Sequence, residues 1–328
     1  MTAHPQRGVC LFSAPFAFLG DVQAEYQTVM PTVFREIWVR HDVRPDPSVT
    51  AWVVNPGQGF VIDEGVLDNF PALEVLVTPS TGTNHIDREA CARRGVSLYG
   101  LLDDRAGLER ITASAEFSFL LLLAVLRRID LGIAEVGTGR WRDREDALRG
   151  HELSGKQVGL VGFGRIGRRL AGYCQAFGAH VAYTDPYVAD AAIPRWTLEE
   201  VFERADIVCV CCALTAETEG LIGRRLLTTL RPEATLINTS RGEVIVEADL
   251  AAVLAERADL RAGVDVLSGE VRGAWRESPL VPLRESGRLV ITPHMAGATV
   301  ESQRKAATSA LGLLRRHLEG RRAAGVEP

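Results

Sequence analysis

No block of like charge, no short-period repeat and no low-complexity segment occurs in the 328 residues of this sequence. Those absences exclude a solenoid and a compositionally biased chain. Basic residues are not in excess: 37 Lys and Arg stand against 42 Asp and Glu, a net charge of −5. That balance argues against nucleic acid or a membrane surface as the main partner. No apolar run is long enough for a bilayer; Phe117–Leu126 is too short and Ser118 interrupts it. Near the start, Arg7 precedes the apolar run Val9–Leu19. Pro15 breaks that run and no convincing small-residue cleavage site follows, so it reads as a first strand rather than a signal peptide. Metal-ligand spacing is lacking too. Cys10, Cys91, Cys174, Cys209, Cys211 and Cys212 form no such pattern with the histidines, so no metal is expected. Three of these cysteines lie in Ile207–Leu214, an apolar run that reads as a buried strand. Thiols there behave as small hydrophobes and suit a reducing, cytoplasmic compartment.

What is present is ordinary for a globular protein: 46% hydrophobic and 24% charged residues, in a length that suits two domains. The chain is organised around residues 158–185, VGLVGFGRIGRRLAGYCQAFGAHVAYTD. Val158–Val161 reads as a strand entering the turn Gly162-Phe163-Gly164-Arg165-Ile166-Gly167. Ile166, Leu170, Tyr173 and Phe177 then recur at helical spacing, and a second strand, His180–Thr184, ends at Asp185. Gly162 permits the tight turn, Gly164 lets backbone approach a pyrophosphate, and Gly167 lets the helix pack on its strand. The free N–H groups and the dipole of the helix start favour the pyrophosphate's charge. Asp185 stands where a carboxylate accepts hydrogen bonds from the adenosine ribose. It would repel a 2′-phosphate, and Pro186 and Tyr187 offer no cation, so NAD is expected over NADP. A glycine turn without a ligand does not account for an acid at that distance.

On either side, short apolar runs alternate with helical patterns. Val9–Ser13, Ala51–Asn55, Glu74–Pro79 and Val96–Leu101 read as strands. Val22–Met30, Glu64–Phe70 and Ile86–Arg94 read as helices. Residues 102–112, LDDRAGLERIT, read as a polar linker, and Ala113–Ile129 as one long helix. That helix is apolar nearly all round and is therefore expected to be buried on several sides. From Val158 onward strands are expected at 158–161, 180–184, 206–212, 234–238, 261–265 and 288–291, with a tail helix over Val300–Gly320. Such alternation predicts parallel sheets with helices on their faces.

Three stretches at strand ends hold residues suited to redox chemistry: Asn238–Gly242, Gly263–Glu270 and Thr292–Gly297. Reduction of a 2-oxo acid needs a hydride donor, a cation for the carboxylate and a proton donor for the carbonyl oxygen. Arg241 offers a planar fork that holds a carboxylate and polarises the carbonyl. His294 supplies the proton, since histidine titrates near neutrality. Glu270 stabilises the imidazolium and fixes the ring. The hydride belongs to the nicotinamide.

Over nearly its whole length the sequence resembles the D-isomer-specific 2-hydroxyacid dehydrogenase family. The stretches that carry the likeness are Ser80–Asp87, Gly155–Gly167, Leu214-Thr215-Ala216-Glu217-Thr218, Asn238–Gly242, Gly263–Glu270 and Thr292–Thr299. The resemblance implies an Arg–Glu–His catalytic set on Arg241, Glu270 and His294. It implies substrate contacts from Thr81, Gly82 and Thr83. Cofactor contacts would fall on Gly162, Gly164, Arg165, Ile166, Gly167, Asp185, Thr239, Ser240, Arg241, Asp265, His294, Ala296 and Gly297. It further implies two doubly wound parallel-sheet domains, an NAD-binding Rossmann domain (residues 105–295) inserted into a flavodoxin-like substrate domain (1–104 plus 296–328). The expected assembly is a homodimer acting on a small 2-hydroxy or 2-oxo acid. Three positions depart from the family pattern: Cys211 and Ala213 replace a common histidine and proline, and Val271 replaces a proline after the catalytic glutamate. Two rival readings are a cofactor-sensing binding protein on the same scaffold and a formate- or phosphite-type dehydrogenase.

Overall fold

The computed structural model describes residues 8–190 and 192–323. The chain divides into two compact units. The first takes the chain up to Ile111, Val271–Gly273 and the chain from Ala298 onward; the second takes Thr112–Glu270 and Ala274–Gly297.

In the first unit the elements run β1 (Val9–Phe12), α1 (Asp21–Val29), β2 (Thr32–Phe34), β3 (Val49–Val53), α2 (Glu64–Leu67), β4 (Val75–Thr78), α3 (Arg88–Arg93), β5 (Ser97–Gly100) and α4 (Arg105–Glu109). The five strands are parallel, in the order β2-β1-β3-β4-β5. This is the flavodoxin-like winding. Side chains alternate between its two faces, as a strand's period of two requires. Leu11, Trp52 and Leu76 pack with Ile62, Leu67 and Phe70 on one side. Phe12, Val53 and Val77 pack with Tyr26, Leu311 and Leu314 on the other. The C-terminal helix, Val300–Ala323, covers that second face, and the Tyr26 hydroxyl donates to the Ala307 carbonyl at 2.8 Å. Asp63 and Asp87 cap α2 and α3 by accepting from the N–H groups of Val66 and Ala90.

β2 carries no signal in the sequence: it has three residues, with Val33 exposed, so it lacks a repeating pattern. The expected polar linker 102–112 holds a 3-10 turn, Leu101–Asp103, and then α4. Its few apolar side chains converge: Leu101, Leu108 and Ile111 bury together with Ala306. Asp104 caps α4 by accepting from Gly107 N–H at 3.1 Å, and it accepts from the Ser309 hydroxyl of the C-terminal helix. Chiefly the Ser309 bond, then the Gly107 bond, hold its carboxyl below the ordinary 3.8. A depressed carboxylate stabilises the fold above its unfolded-state pKa, and that contribution is lost as pH falls through the folded value. Asp104→Ala should therefore cost about 1 kcal/mol at pH 7. The gap between parent and variant in urea melts should narrow as the pH falls from neutral through the carboxyl's depressed folded value. An equal gap at neutral and acid pH would contradict this account.

The second unit begins with α5 (Ala113–Leu126), α6 (Ile129–Gly137) and α7 (Glu145–Leu148). The βα alternation follows: β6 (Gln157–Val161), α8 (Arg165–Ala176), β7 (His180–Thr184), α9 (Leu198–Arg204), β8 (Ile207–Val210), α10 (Arg224–Leu227), β9 (Thr235–Asn238), α11 (Glu247–Glu256), β10 (Arg261–Val264) and β11 (Leu289–Ile291). All six strands expected from the sequence are present, parallel, in the order β11-β10-β9-β8-β6-β7. A lone parallel bridge between Tyr183 and Arg195 continues the sheet beyond β7. With that remnant counted, the winding is that of the doubly wound dinucleotide fold, and its order reverses between β6 and β8. Ligands bind outside the carboxyl ends of the strands at such a reversal.

The long helix ends earlier than expected, at Leu126. Arg128 then adopts a left-handed φ of 51° and α6 starts in a new direction. Ser118, Leu121, Leu122 and Val125 of α5 are buried, but Leu120 is exposed. On α6 the apolar Ile129, Ile133 and Val136 are exposed as well.

Candidate active site

The glycine turn sits between β6 and α8, at the sheet's reversal. Gly162 has φ of +97°, and a Cβ there would stand 2.6 Å from the backbone nitrogen of Cys212. Only glycine accommodates both the conformation and the approach. A Cβ on Gly167 would meet the Gly162 carbonyl oxygen at 2.4 Å, so helix and turn are in close packing. Gly164 is exposed, with nothing within 4 Å of an added Cβ. Gly164 is also the N-cap of α8 and no side chain caps the helix there. The first turn of α8, with Arg165 and Ile166, carries no acid. Open space at the helix start, the lack of an acid there and the helix dipole together fit a pyrophosphate.

Asp185 follows β7. Its Oδ2 accepts from Phe163 N–H at 2.8 Å, and its Oδ1 accepts from Tyr187 N–H at 2.8 Å and Val188 N–H at 3.1 Å. The carboxylate thus joins the glycine turn to the loop after β7. A carboxylate has about four acceptor positions, so three bonds leave it one more for a hydroxyl.

The acid–base pair forms at the ends of β10 and β11. His294 Nδ1 lies 2.5 Å from Glu270 Oε1. Glu270 opens a 3-10 turn, Glu270–Arg272, and its side chain is more enclosed than that of His294, 19% against 46% accessible. With Nδ1 committed to the glutamate, Nε2 is the nitrogen left for a substrate. His294 has a left-handed φ of 50°. Such a backbone needs support from its surroundings.

Asp265, at the end of β10, supplies that support. Its backbone carbonyl accepts from His294 N–H at 2.7 Å. Its carboxylate accepts from the Thr292 hydroxyl at 2.5 Å, Met295 N–H at 3.0 Å and Ala296 N–H at 2.9 Å. Burial pushes this carboxyl up, against the three hydrogen bonds. Asp265→Asn would set an NH2 group among donors and should cost about 1–3 kcal/mol. Thermal unfolding measures that loss. Melting identical to the parent would show that the amides of Met295 and Ala296 do not depend on this carboxylate.

Arg241 follows β9, the strand beside β10. Its Nη1 donates to the Ser240 carbonyl at 2.6 Å. Asn238 braces the turn: its Nδ2 donates to the Arg241 carbonyl at 2.9 Å, and its Oδ1 accepts from Ser240 N–H and Oγ at 3.0 and 2.9 Å. Thr239 is buried with its hydroxyl 2.5 Å from that of Ser118 on α5.

Some supporting residues gave no signal in the sequence. Glu247 accepts from Ser268 N–H and the Ser278 hydroxyl, each at 2.6 Å, and Glu243 accepts from Gly269 N–H at 3.1 Å. They fasten the loop that carries Glu270, across separations that no local pattern reports. The second unit therefore holds Arg241, Glu270, His294, Asp265, Ala296, Gly297 and the glycine turn. Thr81, Gly82 and Thr83 belong to the first unit, after the carboxyl end of β4, where Gly82 N–H donates to Ser80 Oγ at 3.2 Å. The six cysteines are free thiols; burial pushes Cys10 and Cys174 up to about 12 and Cys212 to about 11, so they are poor nucleophiles. Among the described residues no His, Cys, Asp and Glu group could hold a metal ion, and no helix is long and apolar enough to cross a membrane.

Comparison with known proteins names the arrangement. Residues 119–296 match the NAD binding domain of the D-isomer specific 2-hydroxyacid dehydrogenases, and residues 45–102 match the same family's catalytic domain. The chain belongs to the D-isomer specific 2-hydroxyacid dehydrogenase family. Within this family it is 32% identical over 278 residues to a glyoxylate/hydroxypyruvate reductase of Arabidopsis thaliana, covering 84% of this chain and 81% of that one. It is 33% identical over 264 residues to a D-3-phosphoglycerate dehydrogenase of Mycobacterium bovis, covering 79% of this chain and 48% of that one. The chain thus spans about half the length of the mycobacterial dehydrogenases it matches. A solved structure from Thermus thermophilus superimposes with a TM-score of 0.79 at 29% identity, over 95% of this dehydrogenase-family chain and 97% of the other. The glycine turn, β6 to β10 and the His294 loop all lie inside the family's NAD binding domain.

Proposed function

We propose that the protein is an NAD-dependent oxidoreductase that interconverts a D-2-hydroxy acid and its 2-oxo acid. The observation that carries the reading is the 2.5 Å pair of His294 Nδ1 and Glu270 Oε1, set at the same sheet edge as Arg241. When bound, the nicotinamide supplies hydride to the carbonyl carbon of the 2-oxo acid. Arg241 holds the carboxylate and polarises the carbonyl oxygen. His294 delivers the proton from Nε2 to that oxygen, and Glu270 stabilises the imidazolium before transfer and orients the ring. Asp185 and the turn at Gly162–Gly167 take the adenosine ribose and pyrophosphate. Thr239, Ser240, Asp265, Ala296 and Gly297 complete the cofactor contacts. A pure cofactor sensor has no need of an acid–base pair, which weighs against that alternative.

The deciding experiment is absorbance at 340 nm with NADH and a panel of 2-oxo acids, beginning with glyoxylate, hydroxypyruvate and pyruvate. Oxidation of NADH with at least one of them is expected. No turnover with any, in either direction, would refute the reading.

We also propose a homodimer, formed through the second unit, in a reducing cytoplasmic compartment. Ile129, Ile133 and Val136 fall at helical i, i+4, i+7 spacing on α6 and are 52%, 69% and 58% exposed. A row of this kind marks an association surface. Ile133→Glu should convert the dimer to monomer in light scattering, without unfolding it, since the side chain is exposed. A monomeric parent would remove the proposal. The free thiols, four of them buried, fit the compartment.

A further inference from the structure

The motif Leu214–Thr218 takes no part in the chemistry above, yet it faces the cofactor end of the sheet. β6 lies between β7 and β8. Adjacent strands stand about 4.8 Å apart, so the loops leaving β7 and β8 start roughly 10 Å from each other. One side-chain bond bridges them: the Tyr187 hydroxyl donates to Glu217 Oε2 at 2.8 Å, between residues thirty apart in sequence.

Both ends of this bridge are fixed. Thr218 Oγ1 donates to the Ala213 carbonyl at 2.7 Å and accepts from Thr215 N–H at 2.8 Å, which folds the loop behind Glu217. Tyr187 is held by its N–H on Asp185 Oδ1. The carboxylate assigned to the ribose therefore also sets the position of the tyrosine. Glu217, through its hydrogen bond and its charge, pushes the Tyr187 phenol up, with desolvation and the Asp185 charge as lesser causes. On the first turn of α8, Arg168 is turned onto Phe163: its Nε donates to the Phe163 carbonyl at 3.2 Å and its guanidinium lies over the Phe163 ring.

We infer that Glu217 is a second cofactor-specificity residue: held by Tyr187 across the end of β6, its carboxylate joins Asp185 in excluding a 2′-phosphate from the adenosine ribose. The inference rests on the dinucleotide site proposed above and adds to it a named residue on a different loop. A bridge that served only to brace two loops would affect phosphorylated and unphosphorylated ligands alike.

Calorimetric titration with ADP-ribose and with 2′-phospho-ADP-ribose separates these cases without turnover. The parent should bind ADP-ribose and discriminate against the phosphorylated form. Glu217→Gln keeps a hydrogen-bond acceptor and removes the charge. It should raise the relative affinity for the phosphorylated ligand about fivefold at low ionic strength, the order of a Coulomb repulsion between solvated like charges on neighbouring loops. The gain should shrink in 0.5 M salt, where the Debye length is only about 4 Å. Tyr187→Phe keeps the charge but unties it, and should shift the ratio in the same direction by less. An unchanged ratio in Glu217→Gln, or equal weakening of both ligands, overturns the inference and leaves the dinucleotide site standing. A parent that binds neither ligand overturns both.

Discussion

His294→Ala is expected to lower kcat for 2-oxo acid reduction by about a hundredfold or more, the usual worth of a positioned general acid. Affinity for NADH should stay near that of the parent, because the glycine turn and Asp185 lie on other loops of the sheet. The sign of the pH dependence follows from the proton's route. In reduction His294 must enter protonated, so turnover falls as the pH is raised and the imidazolium is lost. In oxidation it must enter neutral, so turnover falls as the pH is lowered. The alanine variant should lose both limbs. Glu270→Gln removes the carboxylate that orients the ring across 2.5 Å, and should lower kcat while leaving NADH affinity near that of the parent. Near-parental kcat in His294→Ala, on every substrate the parent accepts, would show that the proton comes from elsewhere.

Two glycines of one turn should fail in opposite ways. Gly162→Ala places a Cβ 2.6 Å from the Cys212 nitrogen at a φ of +97°. The backbone cannot yield cheaply there, and a loss of about 2–4 kcal/mol is expected, a large value for one methyl group. For a unit of this size that lowers Tm by roughly 5–15 °C. Gly164→Ala meets nothing within 4 Å, so Tm should stay within about a degree of the parent. Its methyl group instead fills the space proposed for the pyrophosphate, and should weaken NADH binding about tenfold or more, since the phosphate loses its close approach to backbone N–H groups. Thermal melts paired with NADH titrations read the two effects apart. A Gly164→Ala protein with undiminished NADH affinity would move the pyrophosphate away from this turn.

The six strands of the second unit were legible because each is a buried apolar run with clear turn signals at its ends. The shared placement of Arg241, Glu270 and His294, the trio proposed for catalysis, was legible because each follows such a strand, and parallel strands deliver their carboxyl ends to one edge. The helix α4 was hidden because its apolar residues are few and partner with Ala306 far along the chain. β2 was hidden because three residues cannot show a period.

What the sequence determined by itself is therefore the winding, the glycine turn and which side chains are candidates for the chemistry, since these depend on local periodicity and on single residue types. What only the tertiary structure decided is the support: Asp265 holding the left-handed His294, Glu243 and Glu247 holding the loop before Glu270, and Tyr187 reaching Glu217. Those bonds join residues about 20 to 30 positions apart. A polar side chain has no periodic signature, so its partner is settled only when the sheet has brought the loops together.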